Sequence, residues 1–155
     1  MINLYSKNLL LVVCALLIAF SSQSKDLKIG IVSDFKQTDV FWDFLNLLKE
    51  EVQKTVGSKV VLIDKSNVIA SDNNVETAKS AYNTLSQEVD FILLLGSVST
   101  HVAVVLQDLP VPTIALGIID QDLQGLPLTT NETSGKHNFT YILTSRDFKK
   151  DISSF

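Results

Sequence analysis

From Leu27 onward the chain alternates short apolar runs with longer amphipathic stretches, a pattern that restricts it to strand–helix–strand units on a parallel sheet. Four runs have strand character: Leu27 to Ser33 (LKIGIVS), Lys59 to Asp64 (KVVLID), Asp90 to Leu95 (DFILLL) and Pro112 to Gly117 (PTIALG). Three of them are nearly continuous in Val, Ile and Leu, as expected of strands covered by helices on both faces. Asn138 to Thr144 (NFTYILT) offers a fifth strand after a looser stretch rich in Gly, Pro, Thr and Asn.

The stretches between the runs have helical periodicity. Phe41, Leu45, Leu48, Val52 and Val56 recur every three or four residues, with Lys49, Glu50, Gln53 and Lys54 on the other side. A capping pair, Asn73 with Glu76, opens a second helix carrying Val75, Ala78, Tyr82, Leu85 and Val89. A third follows Gly96, with Ser97 or Ser99 as cap and Val98, Val102, Val105, Leu106 and Leu109 turned to the sheet. Arg146 to Phe155 has the composition of the opening turns of one more helix. The expected fold is α/β, an open parallel sheet with helices on both faces, of the Rossmann-like kind.

Ahead of this pattern, Leu9 to Phe20 runs without a charge behind Lys7, and Ser22 and Ser24 supply small residues before Lys25. The run is about a dozen residues, whereas a bilayer-spanning helix needs roughly 20, so the layout is that of a secretory signal peptide and not of a permanent membrane span. Residues 1–24 are thus expected to be a leader, 25–126 an α/β ligand-binding lobe, and 127–155 a crossover strand with the start of a helix. The only cysteine, Cys14, lies inside the apolar run, which leaves the expected mature chain with neither a disulfide nor a thiolate nucleophile. The formal net charge is −4, and loss of Lys7 with the leader takes it one unit further. With no basic run, nucleic acid and anionic membrane surfaces are poor partners.

Ligands of open parallel sheets gather beyond the carboxyl ends of the strands, where helix N-termini and loop amides converge. The candidate binding residues are therefore Ser33, Asp34 and Phe35 after the first strand, Ser66 and Asn67 after the second, Gly96, Ser97 and Ser99 after the third, and Gly117 to Asp120 after the fourth. Gly96-Ser-Val-Ser99 leaves backbone amides able to grip a carboxylate or phosphate, and equally describes a tight turn with a serine cap. Asp34 is the first choice for a polar contact, to a ligand ammonium, although a short acidic side chain in a turn is more often a turn former, and Trp42 is off the core face and able to stack on a ligand ring. His101 and His137 make no metal cluster, and no cofactor is expected. The nucleophile-elbow, phosphate-loop and dinucleotide fingerprints are missing, so binding is expected in place of catalysis.

The ordered set KIGIV, amphipathic helix, KVVLID, NNVETAKSAYNTL, VDFILLLGSVST and LPVPTIALGIID resembles the first lobe of ABC-transporter substrate-binding proteins of the type I periplasmic-binding class. The likeness is to the uncharacterised and aromatic-amino-acid-binding subgroup, in which D-x-I-x-x-x-G-[ST] is followed by a helix and a proline-led strand, here Asp90 to Ser97 and Leu109 to Gly117. It covers Lys28 to Leu126, with an echo at Asn138-Phe-Thr140, where Tyr141 replaces the family's glycine. The resemblance implies that Ser33, Asp34, Gly96, Ser97 and Gly117 line a cleft for a small solute such as an amino acid. It also implies that the protein is exported to the periplasm and docks on an ABC permease. A complete member has a second lobe of similar size, so a truncated or split product is expected. A periplasmic scaffold protein of an envelope complex, using the same fold, is the alternative; a flavodoxin-like or phosphoacceptor enzyme is a third class, which an exported chain disfavours.

Overall fold

The computed structural model describes residues 26–56, 61–118, 121–131 and 133–143. The expected leader and the expected helix start at 146–155 lie outside the described residues. Six strands form a parallel sheet: β1 (Leu27–Ser33), β2 (Val61–Leu62), β3 (Val68–Ala70), β4 (Phe91–Leu95), β5 (Thr113–Ile118) and β6 (Phe139–Leu143). Their order is β2-β1-β4-β5-β6, with β3 also paired to β1. Three helices connect them: α1 (Asp39–Val56), α2 (Val75–Leu85) and α3 (Ser97–Val105). The fold is thus the expected α/β lobe, and the fifth strand is present.

Handedness places the helices. The chain moves from β1 outward to β2 through α1, then back past β1 to β4 and β5 through α2 and α3, so right-handed crossovers put α1 on one face and the other two on the opposite face. The side chains obey this. On one face Phe41, Leu45, Leu48 and Val52 of α1 pack on Ile29, Ile31, Phe91, Leu93, Leu95, Ile114 and Leu116. On the other, Ala78, Ala81, Tyr82 and Leu85 of α2 and Val102 and Ala103 of α3 pack on Val32, Ile92, Leu94, Ala115 and Ile118. Adjacent Leu93 and Leu94 thus serve opposite cores, and each such buried side chain contributes roughly 1.5–3 kcal/mol.

Three expectations need correction. The second strand is not one run from Lys59 to Asp64: pairing with β1 at Leu27↔Val61 and Lys28↔Leu62 stops, a 3-10 turn occupies Lys65–Asn67, and pairing resumes at Ile31↔Val68. The polar run Asp64-Lys-Ser-Asn67 closes that turn through Asn67 N donating to Asp64 O (2.9 Å). The cap of α2 is Asn74, whose side chain accepts from Thr77 N at 3.0 Å, while Asn73 has a left-handed φ of 53° and precedes the helix. The third helix ends at Val105, which is exposed, so its sheet-facing set is Ser99, Thr100, Val102 and Ala103.

Candidate functional site

The reversal of strand order falls between β1 and β4, and there the carboxyl-end loops are tied together. Asp34 N donates to Leu95 O (2.8 Å), Gly96 N to Leu116 O (3.0 Å) and Ser71 N to Ser33 O (2.8 Å), so the ends of β1, β3, β4 and β5 form one continuous rim. Ser33 is fully buried, and its Oγ accepts from Phe35 N at 3.0 Å, which turns the chain outward after β1. Phe35 is left 57% exposed.

Asp34 has a role that the sequence did not announce. Its carboxylate accepts from Val98 N (2.7 Å) and Ser99 N (2.9 Å), the first-turn amides of α3, and from Ser71 Oγ (2.7 Å). The sequence left these amides open to a ligand anion or to a serine-capped turn, and Asp34 to a ligand ammonium or a turn; in the structure amides and carboxylate are each other's partners. Asp34 is therefore the N-terminal cap of α3, supplied from another strand, where neither Ser97 nor Ser99 serves. Ser99 is buried and its Oγ donates back to Gly96 O (3.2 Å); Ser97, half-buried, opens the helix. Gly96 holds φ +115°, which side-chain-bearing residues rarely adopt.

Not all the expected residues meet at this rim. Gly117 lies within β5, one residue before its end, and residues 119–120 lie outside the described residues. Ser66 and Asn67 sit in the 3-10 turn between β2 and β3, below the rim; Asn67 is buried and Ser66 exposed. The rim residue on that edge is Ser71, which sequence reasoning missed because the break in the strand moves its true end to Ala70. Trp42 is half-buried, edge-on to Phe41 (centroids 5.7 Å apart), with Lys65 Nζ 5.3 Å from its ring centroid. It faces the β2–β3 edge, and its ring is already engaged there.

On the α1 side of the rim the surface is apolar. A groove of about 510 Å³ is walled by Phe35, Val40, Phe41 and Phe44 and floored by Leu95 and Leu116 at the ends of β4 and β5. Lys36 and Thr38 are its polar members. A larger hollow, about 850 Å³, runs along β6, Leu128 and residues 133–137 and contains none of the expected site residues. The rim thus separates two surfaces: a hydrogen-bonded side, where Asp34 closes on α3, and an apolar side open to solvent.

Among the described residues no group of His, Cys, Asp and Glu is placed to hold a metal ion, and no helix is long and apolar enough to cross a membrane. His101 is exposed on α3. The chain matches no family model, no curated protein and no solved structure.

Proposed function

We propose that this protein binds a small solute at the carboxyl ends of β1, β4 and β5, in the manner of the first lobe of an import receptor, and works by binding and not by reaction. The observation that carries this reading is the groove of Phe35, Phe41, Phe44, Leu95 and Leu116 at the point where the strand order reverses, the place open parallel sheets present to ligands. Its volume falls in the range of roughly 300–1,000 Å³ usual for small-molecule sites. The resemblance of Lys28 to Leu126 to type I substrate-binding proteins supports a periplasmic receptor that delivers its solute to an ABC permease, and the acidic net charge is consistent with a partner other than nucleic acid.

A thermal-shift screen of the purified full chain against amino acids, short peptides, sugars and apolar metabolites tests it, because a ligand of the native state raises the melting temperature. One chemical class is expected to raise it, and Phe44→Ser, which changes a partly exposed groove wall, is expected to remove that rise. A cooperative melt that no class moves contradicts the reading.

The second reading is a periplasmic scaffold. Val40, Phe44 and Leu47 lie at helical spacing along α1 and are 77%, 43% and 63% exposed, an apolar strip of the kind that interaction surfaces present. Under this reading no solute moves the melt, and polar substitution along the strip leaves stability unchanged while raising solubility.

A further inference from the structure

We propose that residues 146–155 of this chain pack against the exposed strip of α1, on the sheet face beside β5 and β6, and so cover the apolar groove in the solute-free protein. The inference goes beyond the solute reading and stands without it; a solute that enters the groove displaces the segment.

The face has room for one more element. Among the described residues α1 is the sole helix on its side of the sheet, whereas α2 and α3 share the other. A helix is about 10 Å across and strands lie about 4.8 Å apart, so one helix covers about two strands of a sheet whose main path is five strands wide. Ile142 of β6, on the α1 side, is accordingly only partly buried. Val40 and Phe44 wall the groove over Leu95 and Leu116, Leu47 continues their line one turn on, and the three are 77%, 43% and 63% exposed.

Position, pattern and charge select the occupant. The first turn of α1 lies just beyond the rim, and β6 delivers the chain to that same rim at Leu143. Leu9 to Phe20, the other long apolar stretch outside the described residues, precedes β1 and so joins the sheet at its opposite end. Phe148, Ile152 and Phe155 repeat the spacing of Val40, Phe44 and Leu47, four residues and then three, the spacing that gives a helix one apolar face. Each stripe spans about 10 Å of helix, so two helices setting out from the rim side by side bring the three pairs level. Arg146, Lys149 and Lys150 outnumber Asp147 and Asp151 by one, while Asp39 and Asp43 outnumber Lys36 by one at the start of α1, so the two surfaces carry opposite net charge.

Paramagnetic broadening of NMR signals in the ¹⁵N-labelled full chain tests this. Cys14→Ser removes the native thiol, and Ser154→Cys carries a nitroxide; Ser153→Cys gives a second label position, so the test stands if one labelled chain does not fold. The amide signals of Val40, Phe44 and Leu47 are expected to lose more than half their intensity, while those of Lys79 and Asn83 on α2, on the opposite face, keep theirs. Ile152→Asp, which puts a charge into the apolar stripe, is expected to restore the α1 signals. Equal loss on both faces, no loss at α1, or a loss that Ile152→Asp leaves unchanged overturns the proposal. Mixing labelled chain with unlabelled chain that bears the nitroxide separates the copies: loss at α1 in that mixture gives the strip to a second copy and overturns it too. Full α1 signals together with a solute-induced rise in melting temperature give the groove to the solute alone, so the two readings fail separately.

Discussion

The Asp34 carboxylate occupies the volume that a side chain at Gly96 would need: a Cβ built at Gly96 lies 2.4 Å from Oδ2 and 2.6 Å from Cγ of Asp34. One residue directly follows β1 and the other directly follows β4, and the closeness of the two is what lets an acid at one strand's end cap a helix from a different unit. Gly96→Ala is therefore expected to destabilise by about 2–3 kcal/mol, from backbone strain at φ +115° together with expulsion of the cap. In an Asp34→Gly background the same substitution should cost clearly less, since only the backbone part remains. Urea midpoints of the four proteins check this; strict additivity would show that the two residues do not compete for space.

The cap of α2 separates two neighbouring asparagines. Asn74→Ala removes the acceptor for Thr77 N and is expected to cost about 1 kcal/mol. Asn73→Gly, at φ 53°, is expected to be neutral or stabilising by a few tenths of a kcal/mol, because glycine adopts the left-handed region without penalty. Equal losses at the two positions in urea unfolding would refute this assignment of the cap.

Tyr82 is fully buried, and its hydroxyl pairs with Thr113 Oγ1 at 2.9 Å. Burial, opposed in part by that hydrogen bond, raises the phenol above its ordinary value of 10.0. The unfolded chain then loses this proton before the native one does, so the stability it contributes is present below the ordinary tyrosine range and is lost as pH rises through the raised native value. Tyr82→Phe is expected to cost about 0.5–1.5 kcal/mol near neutral pH and to flatten the alkaline fall in stability. Denaturation midpoints between about pH 8 and 11 give the slope.

Lys136 closes the other end of α3, its ammonium donating to the carbonyls of Ala103 and Leu106. Cations at helix C-termini satisfy carbonyls that the helix leaves free. Lys136→Met keeps the aliphatic stem and drops the charge, so the expected loss of about 1 kcal/mol, read from thermal unfolding, measures the cap and not the packing.

Much of this architecture is legible along the chain because periodicity is a local property: Phe41, Leu45, Leu48 and Val52 fall on one helical face by spacing alone, and FILLL is apolar enough to need cover on both sides. The site was less legible because its decisive contacts join residues far apart in sequence. Asp34 and Ser99 are 65 positions apart, and nothing around either one announces the pairing. The capping serines offered a local solution for α3, which the distant carboxylate supersedes by supplying charge as well as an acceptor. Ser71 was hidden for another reason: Lys65–Asn67 breaks the second strand, and the rim follows the resumed segment and not the first one. The polar run there was visible, and its length of one 3-10 turn was the available signal.

The most direct test of the binding account is a calorimetric titration of the full chain with the solute class that raises its melting temperature most, repeated on Phe44→Ser and on His101→Ala, an exposed α3 residue outside the groove. The account predicts saturable heat at a single site, lost in Phe44→Ser and kept in His101→Ala. Equal affinity in all three proteins would place the solute elsewhere on the fold, and the absence of saturable heat with every class would contradict solute binding itself.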